Sequence, residues 1–597
     1  MLEQTMNYKG DPSSNPVPAI SDSQKSTTAR IRAIPLAHQS IQANFCKTPG
    51  CNNFGVPPRT GLIQTGRGNK ASDGYNVVSA GSLDLSCKRC GKFSTIKSNK
   101  AIAEELQRQG DLIWQPPRMR CPNDACTSHS MNDATFRKFG STRSGSPRFQ
   151  CSACKSTFSI GKSTLRQRQP HKNTQVFELL VNKSPMNRML ELTGLSVSSL
   201  YGKINFIYEQ CRLFAADRER QLAAMKFERL YLCTDRQDYL VNWPDKAIRK
   251  TIQLTAIATA DLDSGYIFGL TPNYDPSITQ NDLEALWAAS DDQSKPLAMR
   301  ETARLWTRAD YDASTVKSTQ PSPEAQEPAE DMSEGQQLPK SGCQVHADYL
   351  MYGHYWLLRH QLQGAGKIRF FLDGEAGLLA ACMCAFVDRV NARTADIAVV
   401  CIEKELTVDA RNAALAKARK WFRAERARFP ALSERQARSA IMTEIIAAAR
   451  SNAPDGCLKN SWIRSPFPDL AEPNKRIRFV TDLGDYDDAH AANILLKATL
   501  WPIDSVFNHL RRRLSHCERP VNSARRANRR WHIYAPYDPE MVNKVLTIFR
   551  VWHNYVWIGK KSNETAAERL GLAQGKIKIQ DILSFAEFQT HKGHGND

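Results

Sequence analysis

The chain reads as a multidomain protein of mixed α+β and α/β class. Two small cysteine-built modules come first, then a helix-turn-helix, then a mixed-sheet core interrupted by a helical insertion. Three observations predict this. Eight cysteines before residue 155 fall into two quartets of the same spacing. A helical pattern with a glycine turn follows at 172–215. From about 225 onward the pattern becomes β-branched and aromatic, and apolar runs end in aspartate. A length of 597 residues with 41% hydrophobic composition suits several domains with real cores. The formal net charge of +20 and pI near 9.3 point to an anionic partner, with nucleic acid first. No apolar run is long enough for a membrane span, so no membrane partner is expected. Residues 1–40 have no apolar signal core and read as a disordered tail.

The cysteine modules span 41–115 and 116–165. Cys46 and Cys51 have four residues between them, and Cys87 and Cys90 have two. Cys121 and Cys126, then Cys151 and Cys154, repeat those gaps. Paired thiolates at this spacing suit tetrahedral Zn²⁺, which replaces the core that so small a module lacks. Two structural zinc ions in two zinc ribbons are therefore expected. His129, close to Cys126, is a competing ligand. Scattered cysteines such as Cys211, Cys233, Cys382 and Cys384 read as small buried hydrophobes. The segment 172–215 follows. Ser184 and Pro185 suit an N-cap and first helical residue, Gly194 permits a turn, and Ser196 caps a second helix. Met189, Leu190, Leu195, Leu200, Ile204 and Ile207 form its buried side. Ser198, Ser199, Tyr201, Lys203 and Asn205 are left exposed to contact DNA.

The core occupies 225–407, with an acidic Pro/Glu/Gln-rich excursion at 315–342 read as disordered. A helical insertion at 408–490, the rest of the core at 491–535 and a helical C-terminal region at 536–597 complete the chain. Asp235 follows the run LYLCT and Asp373 the run IRFFL, each placed where a strand ends. Glu518 sits in the basic segment HCERPVNSARRANRRW, read as helix. Two strand-end aspartates and a helical glutamate suit a two-metal site for phosphodiester chemistry. On a helix, Arg525 would share a face with Glu518. Arg519, Arg525, Arg526, Arg529 and Arg530 would lie along passing phosphates, with Trp531 and Tyr534 free to stack on bases. Asp482, Asp485, Asp487 and Asp488 in FVTDLGDYDDAH compete for the third place but read as a solvated loop. Asp238 competes with Asp235 but reads as lying past the strand.

The ribbon CPNDAC…CSAC, the segment ELTGLSVSSLYGKI, TDRQDY, FFLDGEAG, the E-x₆-R pattern from Glu518 and the terminal HNY…TAAERLGLA together resemble the DDE transposases of bacterial insertion sequences. The resemblance covers roughly 120–585. It implies an RNase H-like catalytic core and a metal-binding triad of Asp235, Asp373 and Glu518 holding Mg²⁺ or Mn²⁺. It also implies cleavage at element ends by water and attack of the released 3′-hydroxyl on target DNA. Double-stranded DNA, as transposon ends and target, is the implied partner of a homo-oligomer in a bacterial cytoplasm, associated with the nucleoid. The gap from Asp373 to Glu518 is longer than in compact members of that family and calls for the insertion. The alternatives are a non-catalytic zinc-ribbon regulator and a metal-dependent nuclease without strand transfer.

Overall fold

Phe227–Val241 carries the apolar run Leu230–Cys233, closes on Tyr239–Val241 and contains the β-branched and aromatic types that pack on a pleated surface. It forms one long strand, β1, in the computed structural model. That structure describes residues 34–58, 74–79, 83–111, 120–130, 135–143, 146–161, 163–164, 167–243, 247–318, 336–403, 406–518, 531–560, 562–585 and 588–590. β2 (Ile252–Asp261) and β3 (Ile267–Pro272) continue from β1 as an antiparallel meander, with Asp235 opposite Ala258. β4 (Ala365–Asp373) and β5 (Ala395–Cys401) join on the other side of β1 and run parallel to it. Parallel neighbours need crossovers, and helix Ala376–Ala385 with the short helix Val387–Asn391 supplies the one between β4 and β5. The five-strand order is thus β3-β2-β1-β4-β5.

Two more strands extend this sheet. β6 (Ile463–Arg464) and β7 (Arg476–Phe479) come from the expected helical insertion, and β7 pairs antiparallel with β5. The insertion is therefore not purely helical: helices Val408–Arg426 and Glu434–Ser451 project from it, and its return path completes a seven-stranded sheet. Apolar β5 would otherwise present an open edge, which β7 pairs.

Helices cover both faces of the sheet. On one, the side chains of Thr234 and Thr259 bond each other at 2.7 Å, and His354 of helix Ala347–Gln361 bonds Thr259 at 2.7 Å. On the other, Cys233 donates to the Thr499 carbonyl at 3.0 Å, just before helix Trp501–Arg513. Among the described residues no helix is long and apolar enough to cross a membrane.

The first cysteine module is an antiparallel sheet of Tyr75–Ser79, Leu83–Cys87 and Phe93–Thr95. It is seated on the core: Phe45 and Phe54 join the main apolar cluster. Helix Asn99–Asp111 lies against helix Ala347–Gln361 so closely that a Cβ on Gly353 would meet Glu105 Cγ at 2.7 Å. The expected tail gives way to packed chain at Ile34, which is 4% exposed; residues 1–33 lie outside the described residues. The second module has a small apolar filling of its cysteines with Phe136, Phe158 and Ile160, and Phe158 meets the rings of Phe136 and Phe149. Its strands Phe136–Ser141, Pro147–Cys151 and Thr157–Gly161 gain a fourth, Phe588–Thr590, from the C-terminal region expected to be helical. Of the excursion expected to be disordered at 315–342, residues 319–335 lie outside the described residues, 315–318 finish a helix, and the chain from Gln336 on is placed, with Gln336 buried and Cys343 fully so.

Candidate functional site

The two cysteine quartets each bring four sulfurs within 4.8 Å of one another. Cys46 and Cys90 sulfurs stand 3.5 Å apart, Cys51 and Cys87 3.7 Å, Cys121 and Cys154 3.2 Å, and Cys126 and Cys151 3.9 Å. Sulfurs about 2.3 Å from a central ion at tetrahedral angles would be separated by about 3.8 Å. Both quartets fit a structural zinc ion. The Ser156 hydroxyl and backbone N–H stabilise the Cys154 thiolate and hold its pKa down to about 6. His129 is not a ligand: its Nδ1 lies 2.6 Å from the Cys121 carbonyl oxygen.

Three helices, Asn173–Val181, Met186–Thr193 and Val197–Glu219, follow. Gly194 adopts the left-handed conformation expected of the turn (φ 61°), and Ser196 Oγ accepts from Ser199 N–H. The first cap shifts by one residue, since Pro185 and not Ser184 is the N-cap. Ser198, Ser199, Tyr201 and Asn205 are exposed as expected. Lys203 is not. It is buried, and its ammonium donates to the Arg168 and Gln169 carbonyls and to Asn173 Oδ1. Burial pushes its pKa down, and its work is to hold the turn ahead of the first helix.

β4 ends at Asp373 as expected, whereas β1 runs on to Val241, so Asp235 and Asp238 both lie inside a strand. Asp238 accepts from the Thr255 hydroxyl at 2.6 Å and from the Gln253 amide at 3.1 Å. The parallel register Leu372↔Thr234 puts Asp373 level with Asp235 on the neighbouring strand. In-register residues share a face, about 4.8 Å apart along the hydrogen-bonding direction. Alternation from Cys233 places that face toward helix Trp501–Arg513. Beside Asp373, Arg236 donates to Glu375 at 2.9 Å. Burial raises the pKa of Glu375, an effect Arg236 opposes and Asp348 and Asp373 reinforce.

A cavity of about 480 Å³ opens next to Asp235. Asp235, Asp504, Arg411, Arg511, His516 and Glu518 are among its walls. Asp504, Phe507 and Arg511 come from one face of helix Trp501–Arg513; Arg511 is among the arginines expected around Glu518, whereas Asp504 and Phe507 were missed, and their i, i+3, i+7 spacing with Arg511 was the available signal. Glu518 is not on a helix. The helix stops at Arg513, a 3₁₀ turn covers Ser515–Cys517, and Glu518 is extended (ψ 142°). Its carboxylate accepts from Lys183 at 3.0 Å, in the turn between the first two helices of the helix-turn-helix. The same turn is held by Lys183 N–H donating to the Arg513 carbonyl and by Ser515 Oγ donating to the Ser184 carbonyl. Asp235 and Glu518 thus share a cavity, and Asp373 stands one strand over. Among the described residues, only the cysteine quartets bring three or more ligand atoms within 4.8 Å of one another. Arg519, Arg525, Arg526, Arg529 and Arg530 lie outside the described residues. Trp531 and Tyr534 are exposed.

The competing acids have other duties, and their loop is not simply solvated. Asp482 is fully buried, bonded by both terminal nitrogens of Arg450 at 3.0 Å and by Leu458 N–H at 2.7 Å. Asp485 pairs with Arg393, Asp487 caps helix Asp488–Lys497, and Asp488 pairs with Arg450. The chain matches no protein-family model, no curated protein and no solved structure.

Proposed function

We propose that this chain is a DNA transposase that cuts and joins DNA on divalent metal held by Asp235, Asp373 and Glu518. On this reading the zinc ribbons and helix-turn-helix bind the element ends. The observation that carries it is the register: Asp235 of β1 and Asp373 of β4 are brought level on one face, next to a cavity that Glu518 also lines. The order β3-β2-β1-β4-β5, three antiparallel strands followed by two parallel ones, supports an RNase H-like core. The basic composition, the basic wall residues Arg411 and Arg511 and the exposed face of Ser198, Ser199, Tyr201 and Asn205 support DNA as the partner.

Mg²⁺ bound between the carboxylates would activate water and stabilise the leaving oxygen. The protein's part is to fix two carboxylates on adjacent strands, bring the third from the segment after helix Trp501–Arg513, and neutralise passing phosphates with arginine. The Lys183–Glu518 pair then belongs to the DNA-free state, and Lys183 would have to release Glu518 for that carboxylate to hold a metal. The test uses plasmid DNA carrying the coding segment with its flanks. Asp235→Asn, Asp373→Asn and Glu518→Gln should each lower cleavage and strand transfer on the order of a thousandfold or more. Thermal stability and DNA binding should stay unchanged. Normal cleavage by all three variants would sink the mechanism, and a parent chain that binds the DNA without cutting it would leave a non-catalytic DNA-binding protein. Activity in Glu518→Gln combined with its loss in Asp504→Asn would move the third ligand to Asp504.

A further inference from the structure

A second cavity, also about 480 Å³, lies between the first cysteine module and helix Ala376–Ala385, the helix that begins just after Asp373. Its floor is apolar: Leu379, Ala380 and Met383 of that helix, with Tyr352 beside them. Its rim is different. The knuckle that carries Cys87 and Cys90 continues into Lys92 and Phe93, both exposed, and Phe93 is 67% exposed, an unusual placement for so large a ring. Arg89, on the same knuckle, is also exposed.

We propose that this cleft binds an unpaired DNA strand, with a base stacked on Phe93 over the apolar floor and its phosphates on Lys92 and Arg89. The proposal rests on the DNA-processing reading above. An aromatic face offered to solvent suits the face of a base, which a duplex keeps covered by its neighbours. A cavity of this volume accepts a nucleotide and not a double helix. Lys92 on the rim, with the exposed Arg89 farther along the knuckle, matches a phosphate backbone, and the floor matches a base. The first module would then hold the strand that opening or cutting separates, while the helix-turn-helix holds the duplex.

The experiment compares two probes with the full chain: a duplex of arbitrary sequence and the same duplex with a single-stranded tail. Phe93→Ala should weaken binding of the tailed probe by about 5- to 150-fold, the range expected for one lost stacking contact. It should leave duplex binding unchanged, and Phe93→Trp should restore the tailed affinity. Lys92→Ala should flatten the salt dependence for the tailed probe alone, by about one phosphate. Equal losses on both probes, or no loss on either, would overturn the cleft as a strand site. A wild-type chain that binds neither probe would overturn the DNA reading and the cleft's ligand with it. Both side chains are exposed, so the melting temperature serves as a control that the variants fold.

Discussion

Asp482 and Asp235 show how position in the fold divides the work of identical side chains. Asp482 has no exposed surface, and its carboxylate accepts from Arg450, Leu458 N–H and Gly484 N–H. Asp235 is half-buried on the wall of a cavity. Removing one partner of a buried ion pair leaves the other charge uncompensated and costs about 3–5 kcal/mol. Asp482→Ala should therefore destabilise the chain by about that much in denaturant unfolding. Any loss of activity should follow the folded fraction. Asp235→Asn should do the reverse, silencing the chemistry in a protein that is as stable as the parent. A stable but inactive Asp482→Ala would show that the buried carboxylate serves the site directly. Sequence alone does not separate these residues, because the Arg450 that claims Asp482 comes from a helix 32 positions earlier.

The helix Val197–Glu219 does two jobs along its length. Its first turns present Ser198, Ser199, Tyr201 and Asn205 to solvent. Its last turns are buried against helix Pro539–Tyr555, where Glu219 meets Arg550 at 2.5 Å. Tyr201→Ala with Asn205→Ala should reduce sequence-specific DNA binding without changing stability. Lys203→Met should lower stability by about 1–3 kcal/mol, because three acceptors lose a buried donor. If Lys203→Met instead leaves stability intact and weakens specific binding in a gel-shift titration, the residue contacts DNA after all. Elements whose signals are local are legible in the sequence: the quartets, because each is built of two pairs with only four or two residues between the cysteines, and the helix-turn-helix, because Gly194 and Ser196 mark its turn. The Glu518 segment is less legible. Its basic composition suggests helix, yet Pro520 disfavours helix at the residue before it. The burial of Lys203 depends on carbonyls some 35 positions upstream and leaves no periodic trace.

At the scale of the whole molecule, burial pushes five of the described histidines far below their ordinary value, and His360 and His490 less far. His346, His509 and His516 are pushed down to about 4, and His354 and His553 to about 3. An unfolded chain takes up protons on these rings near pH 6.5, while the native protein does so only near 3 to 4. Over that window the unfolded state binds more protons, so stability falls as pH falls, by about 1.4 kcal/mol per pH unit for each ring. Hydrogen exchange in β1 should accelerate between pH 6.5 and 5. A β1 protection that stays flat over this range would mean that the rings titrate normally and are not enclosed. The seven-stranded sheet is the part least foreseeable from sequence. β1 to β5 announce themselves by apolar runs, whereas β6 and β7 are two and four residues long inside an Arg-rich stretch. The edge of β5 gives β7 its partner, and β7 in turn gives one to β6.

The fourth strand of the second cysteine module has a consequence for the order of assembly. Ser163, at the module's end, bonds the Leu583 carbonyl 420 positions away, and Phe588–Thr590 pairs with Thr157–Gly161. On a ribosome the metal-binding loops emerge long before that strand, since synthesis adds about 5–20 residues per second. The module therefore spends tens of seconds able to take its ion while one edge of its sheet stays open. Closing that edge has a high contact order and comes late. A nascent chain can thus hold zinc before its second module is locked to its core.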